Sequence, residues 1–134
     1  MDFKFSLTDN NLTAEIQWYG NLSYEIIVAG IVGQNQWILS NSDKLPLVLV
    51  SDYTKASLNN VTKTDLHAIA NQFHGEEELF PDMTWIAIMP SNVKYDIVQS
   101  WIDHAESMFS NAHVVRSRSM ADDIISNVLS SFSE

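Results

Sequence analysis

The sequence predicts an α/β fold built on a mixed, mainly parallel sheet. Three observations point that way. Two short segments near the start, Phe3–Leu7 and Ala14–Trp18, alternate apolar and polar residues, the mark of strands with one covered face. Two later runs, Leu47–Val50 and Met83–Met89, are almost continuously apolar, as strands buried on both faces are. Between and after them lie four stretches with apolar residues at helical spacing. Strands alternating with helices of these lengths require crossover connections, which favour parallel pairing.

Each element has its own signal. Thr8-Asp-Asn-Asn11 is rich in turn formers and joins the first two strands as an antiparallel hairpin. From Ser23 the period changes, and Tyr24, Ile27, Val28, Ile31 and Ile38 fall on one helical face. Asn21 or Ser23 supplies the cap. Gly30 and Gly33 each weaken that helix by roughly 1 kcal/mol relative to alanine, which predicts close packing there. Ser40–Asp43 and Pro46 end it. After Leu47–Val50, the turn formers from Asp52 to Asn60 predict a loop. Thr62-Lys-Thr-Asp65 is a capping-box pattern opening a helix striped with Leu66, Ile69, Ala70 and Phe73, which Gly75 closes.

Ser91 caps the third helix, whose face is Val98, Trp101, Ile102, Ala105 and Phe109. His113–Arg116 reads as a short last strand. Ser119-Met-Ala-Asp122 resembles a second capping box, with Ile124, Ile125, Val128 and Phe132 buried behind it. The predicted order is β-β-α-β-α-β-α-β-α, a single domain over residues 1–134, without internal repeat or linker.

Composition narrows the function classes. At 134 residues and 46% apolar content the chain can bury a core without staples, and it contains no cysteine for disulfides, thiol catalysis or thiolate metal sites. Seventeen acids against seven bases give a formal charge of −10, a field that repels phosphate backbones and anionic lipid. Arg116-Ser-Arg118 is the one local basic feature, so no nucleic-acid partner is expected. No apolar run approaches the about 18 residues of a membrane span, and the opening MDFKFSLTDN has no signal-peptide pattern, so the expectation is a cytoplasmic protein without membrane insertion.

His74-Gly-Glu-Glu-Glu78 invites a metal reading, but consecutive glutamates on a loop diverge, and a solvated acidic loop explains them. Asp103, His104, Glu106, His67 and His113 show no His-x-x-x-His pairing. No Gly-x-Ser-x-Gly elbow, Gly-x-Gly-x-x-Gly or P-loop occurs either. The expected chain is therefore a non-enzyme with no catalytic residue, no metal and no cofactor.

The landmarks Leu47-Val-Leu-Val-Ser-Asp52, Phe80-Pro-Asp-Met-Thr-Trp-Ile-Ala-Ile-Met89-Pro-Ser, Tyr95 and Val114-Val-Arg-Ser-Arg-Ser-Met-Ala-Asp-Asp123 together resemble the bacterial SpoIIAA-like family, related in fold to STAS and Sec14-type domains. The resemblance covers nearly the whole chain and implies that fold. It also implies a regulatory or protein-interaction module, or a carrier of a small, partly apolar ligand. Anti-sigma-factor antagonists of this type carry an Asp-Ser-Ser/Thr-Gly-Leu motif at the start of the helix after the corresponding strand, and its serine is phosphorylated. Here the matching stretch is Asn60-Val-Thr-Lys-Thr-Asp-Leu66, without the Asp-Ser pair or the glycine, and Thr62 or Thr64 stands at the phosphoacceptor position.

In parallel sheets, ligands sit beyond the carboxyl ends of the strands. Those ends nominate Asp52, Tyr53, Thr62, Thr64, Ser91 and Asn92 as a ligand- or partner-binding set. The same residues serve equally as helix and turn caps. Trp18, Trp37, Trp85 and Trp101 offer an apolar groove or a homodimer interface, with Trp37 and Ile97 expected off the main apolar faces. The alternative is that all four tryptophans are core.

Overall fold

In a computed structural model of the chain, residues 2–9, 11–41, 45–72, 83–90, 95–108 and 111–133 are described. The elements are β1 (Phe3–Thr8), β2 (Thr13–Asn21), α1 (Tyr24–Asn41), β3 (Val48–Ser57), α2 (Lys63–Gln72), β4 (Thr84–Ile88), α3 (Tyr95–Met108), β5 (Asn111–Val115) and α4 (Arg118–Ser133). The fold is α/β with a mixed five-stranded sheet, in the predicted element order.

The strands lie side by side in chain order, β1-β2-β3-β4-β5. β1 pairs antiparallel with β2, and the other pairs are parallel. Three successive crossovers step in one direction, and a right-handed rule puts α1, α2 and α3 on one face. The packing agrees. Ile16 and Trp18 of β2, Leu49 and Tyr53 of β3 and Trp85 and Ala87 of β4 share one core with Ile27, Leu66 and Trp101 of those helices. The alternate residues Val48, Val50, Ile86 and Ile88 point the other way, where Ala121 and Ile125 of α4 cover them. Both faces of the central strands are thus buried, as their continuous apolar runs require.

Three expectations are corrected. The predicted loop from Asp52 does not start there, because β3 continues to Ser57 alongside the long β2. Gln17 pairs with Asp52 and Tyr19 with Lys55, so β3 carries one extra residue there, a bulge that turn-forming residue types disguise as a loop. The last helix starts at Arg118, not at a Ser119 box. Ser117 caps it, its Oγ accepting the Met120 amide at 3.2 Å. Ile97 is buried and Trp37 is half-buried against Phe5, with ring centroids 5.7 Å apart, so neither forms an exposed patch. Trp18, Trp85 and Trp101 are core.

Ser23 caps α1 through Ile26 N, at 3.3 Å. The expected close packing at Gly30 is also present. A Cβ there would sit 2.3 Å from Cη2 of the buried Trp18 ring. The readings on Phe73, Gly75, His74–Glu78, Phe80–Asp82, Ser91, Asn92 and Phe109 lie outside the described residues. So do those on the side chains of Ala70, Tyr95, His104, Ala105, Glu106 and Phe132.

Candidate functional site

The carboxyl ends of the parallel strands do not gather the predicted residues into one pocket. Alternation along β3 sends Asp52 and Tyr53 to opposite faces. Asp52 lies under the start of α4, whereas Tyr53 lies in the α1–α3 layer with its ring stacked on Trp18 at 5.5 Å and 3°. Thr62 and Thr64 stand at the first turn of α2, in that second layer.

Asp52 is buried and both its oxygens are engaged. Oδ1 accepts the Thr54 amide at 2.9 Å and the Thr54 hydroxyl at 2.6 Å, which ties off the bulge. Oδ2 faces Arg118 Nη1 at 3.4 Å. The same guanidinium bonds Glu15 on β2 and, through Nε, Asp122 at 3.3 Å one turn along α4. Burial works to lower the Arg118 pKa, but the hydrogen bond and charge of Glu15, then the charges of Asp122 and Asp52, raise it overall. Gln17 Nε2 donates to the Asp52 carbonyl at 3.2 Å, beside the bulge. One arginine therefore joins two strands to α4. Arg116 is a separate tie, donating to the Pro90 carbonyl at 3.0 Å.

This hub went unread in the sequence, where Arg118 figured as half of a basic pair. The available signals were the Arg118–Asp122 spacing of four on a helix and the alternation that puts Glu15 and Gln17 on one face of β2.

The α2 rim is different in character. Thr62 Oγ1 accepts the Asp65 amide at 3.1 Å while Thr62 N donates to Asp65 Oδ2 at 3.0 Å, the reciprocal box the sequence predicts. Thr64 is exposed. Lys63 reaches across to Asp96 in the first turn of α3 at 3.7 Å, so the starts of two helices adjoin. Among the described residues no group of three or more His, Asp or Glu side chains is placed to hold a metal ion, and no helix is long and apolar enough to cross a membrane.

Tyr53 is wholly buried between Trp18 and Trp101, and burial pushes its phenol well above the ordinary value of 10.0, a little offset by a hydrogen bond with Ser51. The unfolded chain ionises this tyrosine first as pH rises. Its contribution is therefore complete below pH 10 and lost on going above it. Denaturant titrations on either side of pH 10 are expected to show a steep alkaline fall in stability that Tyr53→Phe flattens. An unchanged slope in that variant would contradict the assignment.

The fold and this rim define an α/β domain of mixed sheet with a polar hub beneath its last helix. No protein-family model matches the chain, and no curated protein matches it.

Proposed function

We propose that the chain is a protein-interaction or regulatory module of the SpoIIAA-like, STAS-like kind, docking its partner at the rim where α2 and α3 begin. The observation that supports this most is the α2 start itself. The Thr62–Asp65 box fixes the first turn, and Thr64 stands exposed on it beside the Lys63–Asp96 bridge. A rigid first turn presenting a free-standing hydroxyl suits recognition of a partner surface, and a phosphoryl group on Thr64 would meet the positive end of the helix. Asp52, held by Thr54 and Arg118 on the opposite face of the sheet, ties α4 to β3 and is not part of the docking surface.

Cross-linking through Lys63, followed by mass spectrometry on protein isolated from its own host, tests the reading. A stoichiometric partner linked at Lys63 is expected, and Thr64→Trp is expected to remove it without altering the circular dichroism. A partner retained undiminished by Thr64→Trp would move the docking surface elsewhere.

A second reading, a carrier of a small, partly apolar molecule, has one observation in its favour. Trp18 Nε1, Trp101 Nε1 and Gln34 Nε2 are buried in the α1–α3 layer without an acceptor. Buried donors are usually satisfied, and an oxygen-bearing apolar ligand would supply acceptors. Native mass spectrometry of the gently purified protein decides between the readings, since a carrier shows a reproducible small-molecule adduct and an interaction module does not.

A further inference from the structure

We infer that α4 is a displaceable strap, latched at its first residue by Arg118, which lifts off the sheet as a unit and uncovers an apolar face while the rest of the fold stays assembled. Its place in the chain permits this. α4 follows the last of the five strands, so its departure breaks no pairing among them.

The seat of the helix is narrow, although what it covers is deep. Val48, Val50, Ile86 and Ile88 beneath it are fully buried. Of the side chains described on α4 itself, Ala121 and Ile125 alone are buried, and Ile124, Val128 and Leu129 are half-buried. Among the described residues, the apolar side chains packed on that face, other than those of the strands and Leu47, all come from α4. On the opposite face α3 contributes Trp101, stacked on Trp85 and packed against Tyr53. Opening free energy follows the apolar area that must be uncovered, so α4 is the helix that lifts most readily.

The polar hub is split across the line of separation. Arg118 and Asp122 leave with the helix, whereas Glu15 and Asp52 stay with the sheet. Closed, one guanidinium holds the two sheet carboxylates together. Open, they face each other without a cation. The Arg118 side chain is 47% exposed, so dissolved salt reaches the latch. Screening weakens the closed-state attraction and relieves the open-state repulsion, and both changes favour lifting. The same salt moderates the self-repulsion of a chain of charge −10, which favours the compact fold as a whole. Ionic strength therefore pushes the strap and the remaining fold in opposite directions, which separates this opening from general unfolding.

Thiol labelling tests it, because the chain has no cysteine of its own. Val50 and Leu49 are adjacent on β3 and face opposite layers, Val50 beneath α4 and Leu49 in the α1–α3 core. Measured against the unfolded chain, Val50→Cys is expected to react at least about tenfold faster than Leu49→Cys, with a shallower dependence on urea. Adding Arg118→Met to Val50→Cys is expected to speed its labelling about tenfold more, with the urea dependence still shallow. Raising the salt concentration is expected to speed labelling at Val50→Cys but not at Leu49→Cys. Hydrogen exchange on the unaltered chain gives a readout free of substitutions, with α4 amides opening together and exchanging faster than those of β3. Equal labelling of the two sites, labelling at Val50→Cys that Arg118→Met leaves unchanged, or α4 amides as protected as those of β3 would each overturn the inference.

Discussion

Gly30→Leu is expected to abolish the stable fold, and Gly30→Ala to weaken it even though alanine is the better helix former. The two effects oppose each other in the alanine variant. Replacing a mid-helix glycine stabilises by about 1 kcal/mol through propensity. Against this, the new Cβ would lie 2.3 Å from Cη2 and 2.6 Å from Cζ3 of Trp18 and 3.2 Å from Ile16 Cδ1. Overpacking a core costs about 1–3 kcal/mol, and here the ring cannot retreat, because Trp18 is fully buried, stacked on Tyr53 and edged by Phe3. For alanine the net loss is up to about 2 kcal/mol, and leucine, with three more carbons in a space that does not hold one, is expected to exceed a small domain's margin. Urea unfolding reads both. Gly33 is the internal control, since its Cβ would come no nearer than 3.2 Å to the half-buried Phe5 ring at the edge of the sheet. Gly33→Ala is therefore expected to be neutral or stabilising. Equal behaviour of the two glycines would contradict the packing argument.

Arg118→Met is expected to destabilise by about 1–3 kcal/mol, between the values for exposed and buried ion pairs. The range follows from burial. The Arg118 side chain is 47% exposed, which lets water replace part of what is lost, but its partners Asp52 and Glu15 are 7% and 18% exposed and are left as two neighbouring carboxylates without a cation. A further consideration makes this arginine informative. A positive charge at the first position of a helix opposes the helix dipole, an arrangement worth several tenths of a kcal/mol in the wrong direction. The carboxylates of Glu15, Asp52 and Asp122 reverse that sign locally. Combining Arg118→Met with Asp52→Asn is expected to lose less than the sum of the two single changes. Strict additivity in the denaturation cycle would mean that the two residues act independently.

The same hub explains why part of the site was legible in the sequence and part was not. The Thr62–Asp65 box is a local device. Its four residues carry all the information needed, and both hydrogen bonds occur as the pattern implies. The apolar runs at Val48–Val50 and Thr84–Ile88 were likewise readable, because burial on both faces leaves a continuous signature. Asp52 was misplaced for a physical reason. Turn-forming residues after Val50 announce a loop, but the length of β2 offers them a pairing partner, and the bulge absorbs the mismatch. The tie from Arg118 to Glu15 and Asp52 spans β2, β3 and α4, and no local spacing encodes such a convergence. Similarly, Ser117 rather than Ser119 starts α4, where the two candidate caps are both serines and the packing of Ala121 and Ile125 on β3–β5 selects the phase.

Because neighbours in the sheet are also neighbours in the chain, no strand has to be inserted between two that are already joined. Each crossover closes a loop of modest length, so assembly can proceed by adding one β–α unit after another to a growing edge. This chain order keeps every closure one crossover long, although each parallel pairing is intrinsically slower to form than the β1–β2 hairpin. It also sets the direction in which the molecule comes apart. Opening the β5–α4 unit removes an edge and uncovers Val48, Val50, Ile86 and Ile88, yet leaves the β2–β3 pairing and the Trp18–Tyr53 stack whole. The molecule is in effect a ladder read in one direction, which unfolds from its ends inward.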